Sequence, residues 1–235
     1  RYKKPSLIYP PLNEYKYSNI QNKDHSCIRL VYHGNEKHIS FFEKKLKFII
    51  RNLKIKKKIE LHLIYNKKKK KLKFFNKIVN VEVFHHQYSE DTMLNVLSKA
   101  DIGLVPQLLP ENRSYLKIFN FLKFIKYFSE LKNEYILRFK ENSNIGRHLI
   151  FAQFKVPIVT EPTISSILLL NEDFKDFIAY NKHDWLNSIT KLIDNEDLAK
   201  KFGDYLYEKW KNNFTHDLLN NKLLKEIEKL NEVNK

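Results

Sequence analysis

The sequence predicts an α/β fold: a parallel, doubly wound sheet with helices on both faces, followed by a helical C-terminal tail. Two observations carry this. Short runs rich in Val, Ile, Leu and Tyr alternate with longer stretches whose apolar residues recur at helical spacing. From His183 onward the strand signal stops and only helical spacing remains.

The first strand is Ile28 to His33 (IRLVYH), stopped by Gly34-Asn35. A helix follows from Glu36 to Leu53, with Ile39, Phe42, Leu46, Ile49, Ile50 and Leu53 on one side. Ile59 to Tyr65 (IELHLIY) and Val79 to Phe84 (VNVEVF) read as the second and third strands, separated by a lysine run. Ser89 to Lys99 is an amphipathic helix opening on a Ser-Glu-Asp cap, and Asp101 to Val105 (DIGLV) is a fourth strand ended by Pro106. Tyr115 to Leu131 is an aromatic-rich helix, Asn144 to Phe154 another, Val156 to Val159 a fifth strand and Phe177 to Tyr180 a brief sixth. The tail falls into three helical pieces, broken at Asp194-Asn195 and Asn212 to Thr215. No repeat of fixed period is visible.

A chain of 235 residues with 43% apolar side chains can fill a real core. Its net charge of +16 favours polyanionic partners, whether nucleic acid, an anionic membrane or a phosphorylated small molecule. The single Cys27 excludes an internal disulfide and fits a reducing, cytoplasmic compartment. No run of about 18 apolar residues exists to span a bilayer. The start has no apolar signal core and no initiator Met, and Pro5, Pro10 and Pro11 punctuate a polar stretch to Ser26. Residues 1–26 therefore read as a linker from an upstream domain, and 27–235 as the folded unit.

In sheets of this kind ligands bind beyond the carboxyl ends of the strands. That rule selects four loops: His33-Gly34-Asn35, His85 to Tyr88, Pro106 to Arg113 and Lys140 to Arg147. In the last, Ser143 or Asn144 is a natural helix N-cap, with Arg138, Lys140 and Arg147 around it and Glu141 and Asn142 between. Cations at a helix start oppose the dipole unless an anion sits among them, so this start reads as an anion site; a plain capped helix is the simpler alternative. At the first loop Gly34 lets the backbone approach a ligand, and Asn35 and Lys37 can donate to phosphate oxygens; a plain turn after the first strand is the simpler alternative.

His85 and His86 are adjacent on a strand and point to opposite faces, so they cannot easily chelate one ion; one of them can line a pocket. No metal is expected. Serine-hydrolase, P-loop and dinucleotide motifs are absent. The run Lys67 to Lys71 with Lys73 reads as a solvated loop tip; no aromatic platform interleaves it for stacking bases, and an anionic membrane is the more natural partner. The helix at Tyr115 to Leu131 has a basic, aromatic pattern that fits either a membrane interface or packing on its own domain.

Three strings, VEVFHHQYSEDTMLNVLSKADIGLVPQ, NIGRHLIFAQFKVPIVTEP and DWLNSITKLIDNEDLAKKFGDYLYEKWKNNFTHD, together resemble the C-terminal, donor-binding domain of GT-B fold glycosyltransferases, in the retaining, glycogen-synthase-like group. The resemblance runs from about Ile28 to Leu230. It implies a Rossmann-like domain, one half of a GT-B fold, that holds a nucleotide-diphosphate sugar and passes the sugar to a glycan or lipid-linked acceptor. Such work fits polysaccharide biosynthesis by a cytoplasmic enzyme at the inner membrane face. Gly34, Asn35 and Lys37 would then approach the donor phosphates, and Arg138, Lys140, Ser143, Asn144 and Arg147 would hold the diphosphate. His85, His86, Glu141 and Asn142 are weaker candidates for the nucleoside or sugar.

No metal or other cofactor and no nucleic acid is implied, and turnover would need the upstream acceptor domain. Two glutamates common in such enzymes fall at Asn142 and Ile150 here, and the usual Arg after the first glycine is Asn35. No catalytic residue is assigned. A non-catalytic basic α/β module for anionic membrane or nucleic acid, and a degenerate glycosyltransferase scaffold, remain the alternatives.

Overall fold

The computed structural model describes residues 13–15, 26–66, 81–107 and 145–233 of the chain. Five strands, β1 (Cys27–His33), β2 (Lys58–Tyr65), β3 (Val81–Gln87), β4 (Ile102–Val105) and β5 (Ile158–Thr160), form one sheet in the order β3-β2-β1-β4-β5. Every pairing is parallel. Helix α1 (Glu36–Asn52) joins β1 to β2, α2 (Glu90–Leu97) joins β3 to β4, and α3 (Gly146–Gln153) feeds β5. After β5 come α4 (Ile164–Leu170), a single 3₁₀ turn at Lys175–Phe177, then α5 (Lys182–Asp194), α6 (Glu196–Asn213) and α7 (His216–Val233). The doubly wound α/β fold with a helical C-terminal segment is therefore as the sequence predicts.

The central strands are apolar at successive positions because both faces are covered. Leu30, Val31 and Tyr32 of β1 are completely buried, as are Leu104 and Val105 of β4 and Ile158 and Val159 of β5. By contrast β3, at the edge, is half-buried along most of its length. Helix α1 turns Ile39, Phe42, Leu46, Ile49 and Ile50 to the core at i, i+3, i+4 spacing, each worth roughly 1.5–3 kcal/mol of burial. Phe42 meets Trp185 of α5 with ring centres 4.5 Å apart. Helix α2 starts where the sequence places its cap: the Ser89 hydroxyl accepts the Thr92 N–H at 3.2 Å. Helix α5 opens on a reciprocal cap between Asn181 and Asp184.

Helix α3 lies unusually close to the sheet. A Cβ on Gly103 of β4 would stand 2.7 Å from the Phe151 ring, so only glycine gives that ring its place.

Two expectations are corrected. Helix α3 spans Gly146–Gln153 with Ile145 at its N-cap position, where Ser143 or Asn144 was expected; the Ile145 backbone is already helical and makes no side-chain cap bond. His148 and Leu149 both donate to the Ile145 carbonyl instead. Ser143 and Asn144 lie outside the described residues. The sixth strand over Phe177 to Tyr180 is absent: the 3₁₀ turn ends at Phe177, leaving Ile178 to form one isolated parallel bridge with Thr160. Helix α4 was not anticipated at all. The Tyr115 to Leu131 helix, the Lys67 to Lys71 run and most of the 1–26 linker lie outside the described residues. Among the described residues no helix is long and apolar enough to cross a membrane.

Candidate functional site

The strand order reverses direction between β1 and β4, so the loops leaving their carboxyl ends diverge and open a crevice above the sheet. Gly34 follows β1 there, and Pro106-Gln107 follow β4. Gly34 has φ +143°, a conformation that L side chains rarely adopt, and its N–H donates to the Ile64 carbonyl at 3.0 Å. The buried Tyr32 hydroxyl donates to the Asn35 carbonyl at 2.6 Å, closing the turn from beneath.

Arg147, at the second residue of α3, reaches across this crevice. Its Cδ would stand 3.2 Å from a Cβ on Gly34, and its Nη1 donates to the Pro106 carbonyl at 2.9 Å. The side chain thus bridges the loops on the two sides of the reversal. Burial draws its pKa down from the usual arginine value, against the opposing influence of Tyr32 and Glu161. Among the described residues no carboxylate lies within ion-pair distance of it. Burial also pushes the Tyr32 hydroxyl up, with Arg147 working against that.

Behind Arg147 stands a buried polar layer. Glu161, just past β5 and 2% exposed, takes Lys45 Nζ of α1 at 2.9 Å through Oε1 and the Gln107 N–H at 2.8 Å through Oε2. The fully buried His148 places Nε2 3.0 Å from both Gln107 Nε2 and Thr160 Oγ1. His33 packs its ring 5.0 Å from Phe151, and its Nε2 has no hydrogen-bond partner among the described residues. Burial first, and then the charge of Arg147, push both histidines down to about 3, so each is neutral at pH 7.

Of the residues expected to form a site, Gly34, Asn35 and Arg147 come together at this crevice. Lys37 falls in the first turn of α1. Arg138, Lys140, Glu141, Asn142, Ser143 and Asn144 lie outside the described residues. His85 and His86 lie on the edge strand β3, separated from β1 by β2, roughly 10 Å across the sheet. They face opposite ways: His85 Nδ1 is 3.0 Å from the Tyr65 hydroxyl, while His86 Nε2 is 3.0 Å from His62 Nδ1. Among the described residues no three His, Cys, Asp or Glu side chains converge as metal ligands.

The sequence reading missed Lys45, Gln107, His148, Thr160 and Glu161. Glu161 could have been found, because an acidic residue directly after the strand string PIVT stands at a carboxyl end. Lys45 carries no such mark among the many lysines.

No protein-family model matches the chain, and neither does any curated protein. Solved structures do resemble it. A variant of TarM from S. aureus, in complex with fondaparinux, alpha-GlcNAc-glycerol and UDP, superposes with a TM-score of 0.53 at 15% identity, covering 89% of this chain and 38% of that one. TarM in a second structure gives 0.52 at 14% identity, over 89% and 37%. The catalytic domain of cholesterol-alpha-glucosyltransferase from Helicobacter pylori gives 0.49 at 12%, over 79% and 98%. At these identities the likeness to the two TarM structures shows the fold alone: a Rossmann-type α/β unit. The chain spans about 38% of the length of the TarM variant.

Proposed function

We propose that this chain is the donor-binding part of a GT-B glycosyltransferase of the retaining, glycogen-synthase-like kind, moving a sugar from a nucleotide diphosphate to a glycan or lipid-linked acceptor. The observation that carries the reading is Arg147. A half-buried guanidinium with no carboxylate partner among the described residues spans the crevice where sheets of this order bind ligands, beside a glycine turn that lets a phosphate approach. Departure of a nucleotide diphosphate builds negative charge on its oxygens, and a fixed guanidinium stabilises that charge as it forms. Gly34, Asn35 and Lys37 on one side, and Arg138, Lys140, Ser143 and Asn144 on the other, would complete the diphosphate cradle, with Glu141, Asn142, His85 or His86 towards the nucleoside or sugar. No metal is required in this arrangement.

Residues 1–26 would connect to an acceptor domain, and the basic surface would suit an enzyme at the cytoplasmic membrane face. Titration with UDP, GDP and their sugars, beside a short oligonucleotide, tests the proposal. Saturable nucleotide binding that Arg147→Ala plus Lys140→Ala abolishes supports it. Binding confined to the oligonucleotide, steeply weakened by salt, would sink it.

A further inference from the structure

We infer that Glu161 positions Arg147 for anion capture, acting through the single peptide group that joins Pro106 to Gln107; this rests on the proposed anion site. The Gln107 N–H donates to Glu161 Oε2 at 2.8 Å, and the Pro106 carbonyl accepts from Arg147 Nη1 at 2.9 Å. That N–H and that carbonyl belong to the same planar unit and point in opposite directions, so one rigid plane is gripped at both ends. A carboxylate on the N–H side polarises the peptide and makes its carbonyl oxygen a stronger acceptor for the guanidinium.

Lys45 completes the device. By holding Glu161 Oε1 at 2.9 Å it satisfies the carboxylate from the α1 side. Glu161 therefore orients Arg147 without neutralising it, and the guanidinium keeps its charge for a ligand. Glu161 is 2% exposed and is 54 residues from Gln107 and 116 from Lys45, so two distant parts of the chain converge on it. It is a positioning residue, not a catalytic one.

Calorimetric titration with inorganic pyrophosphate separates this from a merely structural role. The forms needed are the unaltered chain, Arg147→Ala, Glu161→Gln and the double variant, with folding followed by circular dichroism. Glu161→Gln keeps an acceptor for the Gln107 N–H but removes the charge, and is expected to weaken pyrophosphate about tenfold. In the Arg147→Ala background the same change is expected to add nothing, because its route to the ligand is gone. An equal loss in both backgrounds overturns the inference while leaving the anion site standing. Pyrophosphate affinity untouched by Arg147→Ala overturns the anion site itself. Should Glu161→Gln fail to fold, Lys45→Met serves: it frees Glu161 to pair with Arg147 and should weaken pyrophosphate, and unchanged affinity would count against the relay.

Discussion

Gln153 holds Tyr15 by its backbone. The buried side-chain amide of Gln153 accepts the Tyr15 N–H at 2.8 Å and donates to the Asn13 carbonyl at 3.1 Å, as a neighbouring strand would. The Tyr15 ring lies 6.2 Å from that of Phe154, and the Glu14 carboxylate takes the His216 N–H at the start of α7. One short segment is thereby fastened both to the end of α3 and to the first turn of the last helix. Gln153→Ala removes both partners from a partly buried backbone and should cost about 2 kcal/mol, read as a lowered urea midpoint at unchanged m. Gln153→Glu should rescue little, because it keeps the acceptor for Tyr15 but sets a carboxylate against the Asn13 carbonyl.

Gly103 and Phe151 make a second test, of packing alone. With the ring 2.7 Å from where a Cβ would stand, Gly103→Ala must push α3 off β4 and should destabilise by about 1–3 kcal/mol. Pairing it with Phe151→Leu should recover part of the loss, since the smaller side chain vacates the contact. A double variant as unstable as the sum of the two singles would mean that the contact is not what makes this glycine necessary.

Stability should fall on acidification below neutrality, and His33 and His148 give the sign. Both are held near 3 in the folded chain, whereas the unfolded chain titrates them near the ordinary 6.5. Between these values the unfolded state binds more protons, so the folded state is penalised progressively as pH drops below about 6.5 and on towards 3. At pH 5 the penalty is about 2 kcal/mol per histidine. His33→Phe keeps a ring against Phe151 and removes one titrating group, so its thermal midpoint should decline less between pH 7 and pH 5 than that of the unaltered chain. Equal declines would place the acid sensitivity elsewhere.

What could be read from the sequence was what local pattern encodes. The β-branched runs of β1, β2 and β4 and the breaks at Asp194-Asn195 and Asn212 to Thr215 fixed most of the order, and Gly34 and Arg147 were visible because a glycine after a strand and a cation at a helix start each have a local meaning. The seven mostly apolar residues ISSILLL cannot be told from a buried strand by periodicity; only the reciprocal Thr163-Ser166 cap at their start marks the segment as α4. The stretch at Phe177 has strand-like composition, but Phe174 and Phe177 fold into the core beside Phe202, ring centres 4.3 and 4.8 Å from it, and that packing prevails over propensity. The layer of Lys45, Gln107, His148 and Glu161 depends on partners 41 to 116 residues apart, which no single window contains.

Gly34 joins backbone conformation to the proposed chemistry, and its substitution should separate the two. At φ +143° an alanine is strained, at a cost of about 1–3 kcal/mol. Its methyl group would also sit 3.0 Å from the Tyr32 hydroxyl and 3.2 Å from Arg147 Cδ, tighter than such contacts normally run. Tyr32 is fully buried and tied to Asn35, so the guanidinium is the part that can yield. Gly34→Ala should therefore lower both stability and UDP affinity. Gly34→Ala combined with Arg147→Ala should bind UDP no worse than Arg147→Ala alone, because the methyl group then has no guanidinium to displace. If the double variant binds distinctly worse, the glycine serves the ligand directly, through close approach of its backbone, and the displacement of Arg147 is not the cause.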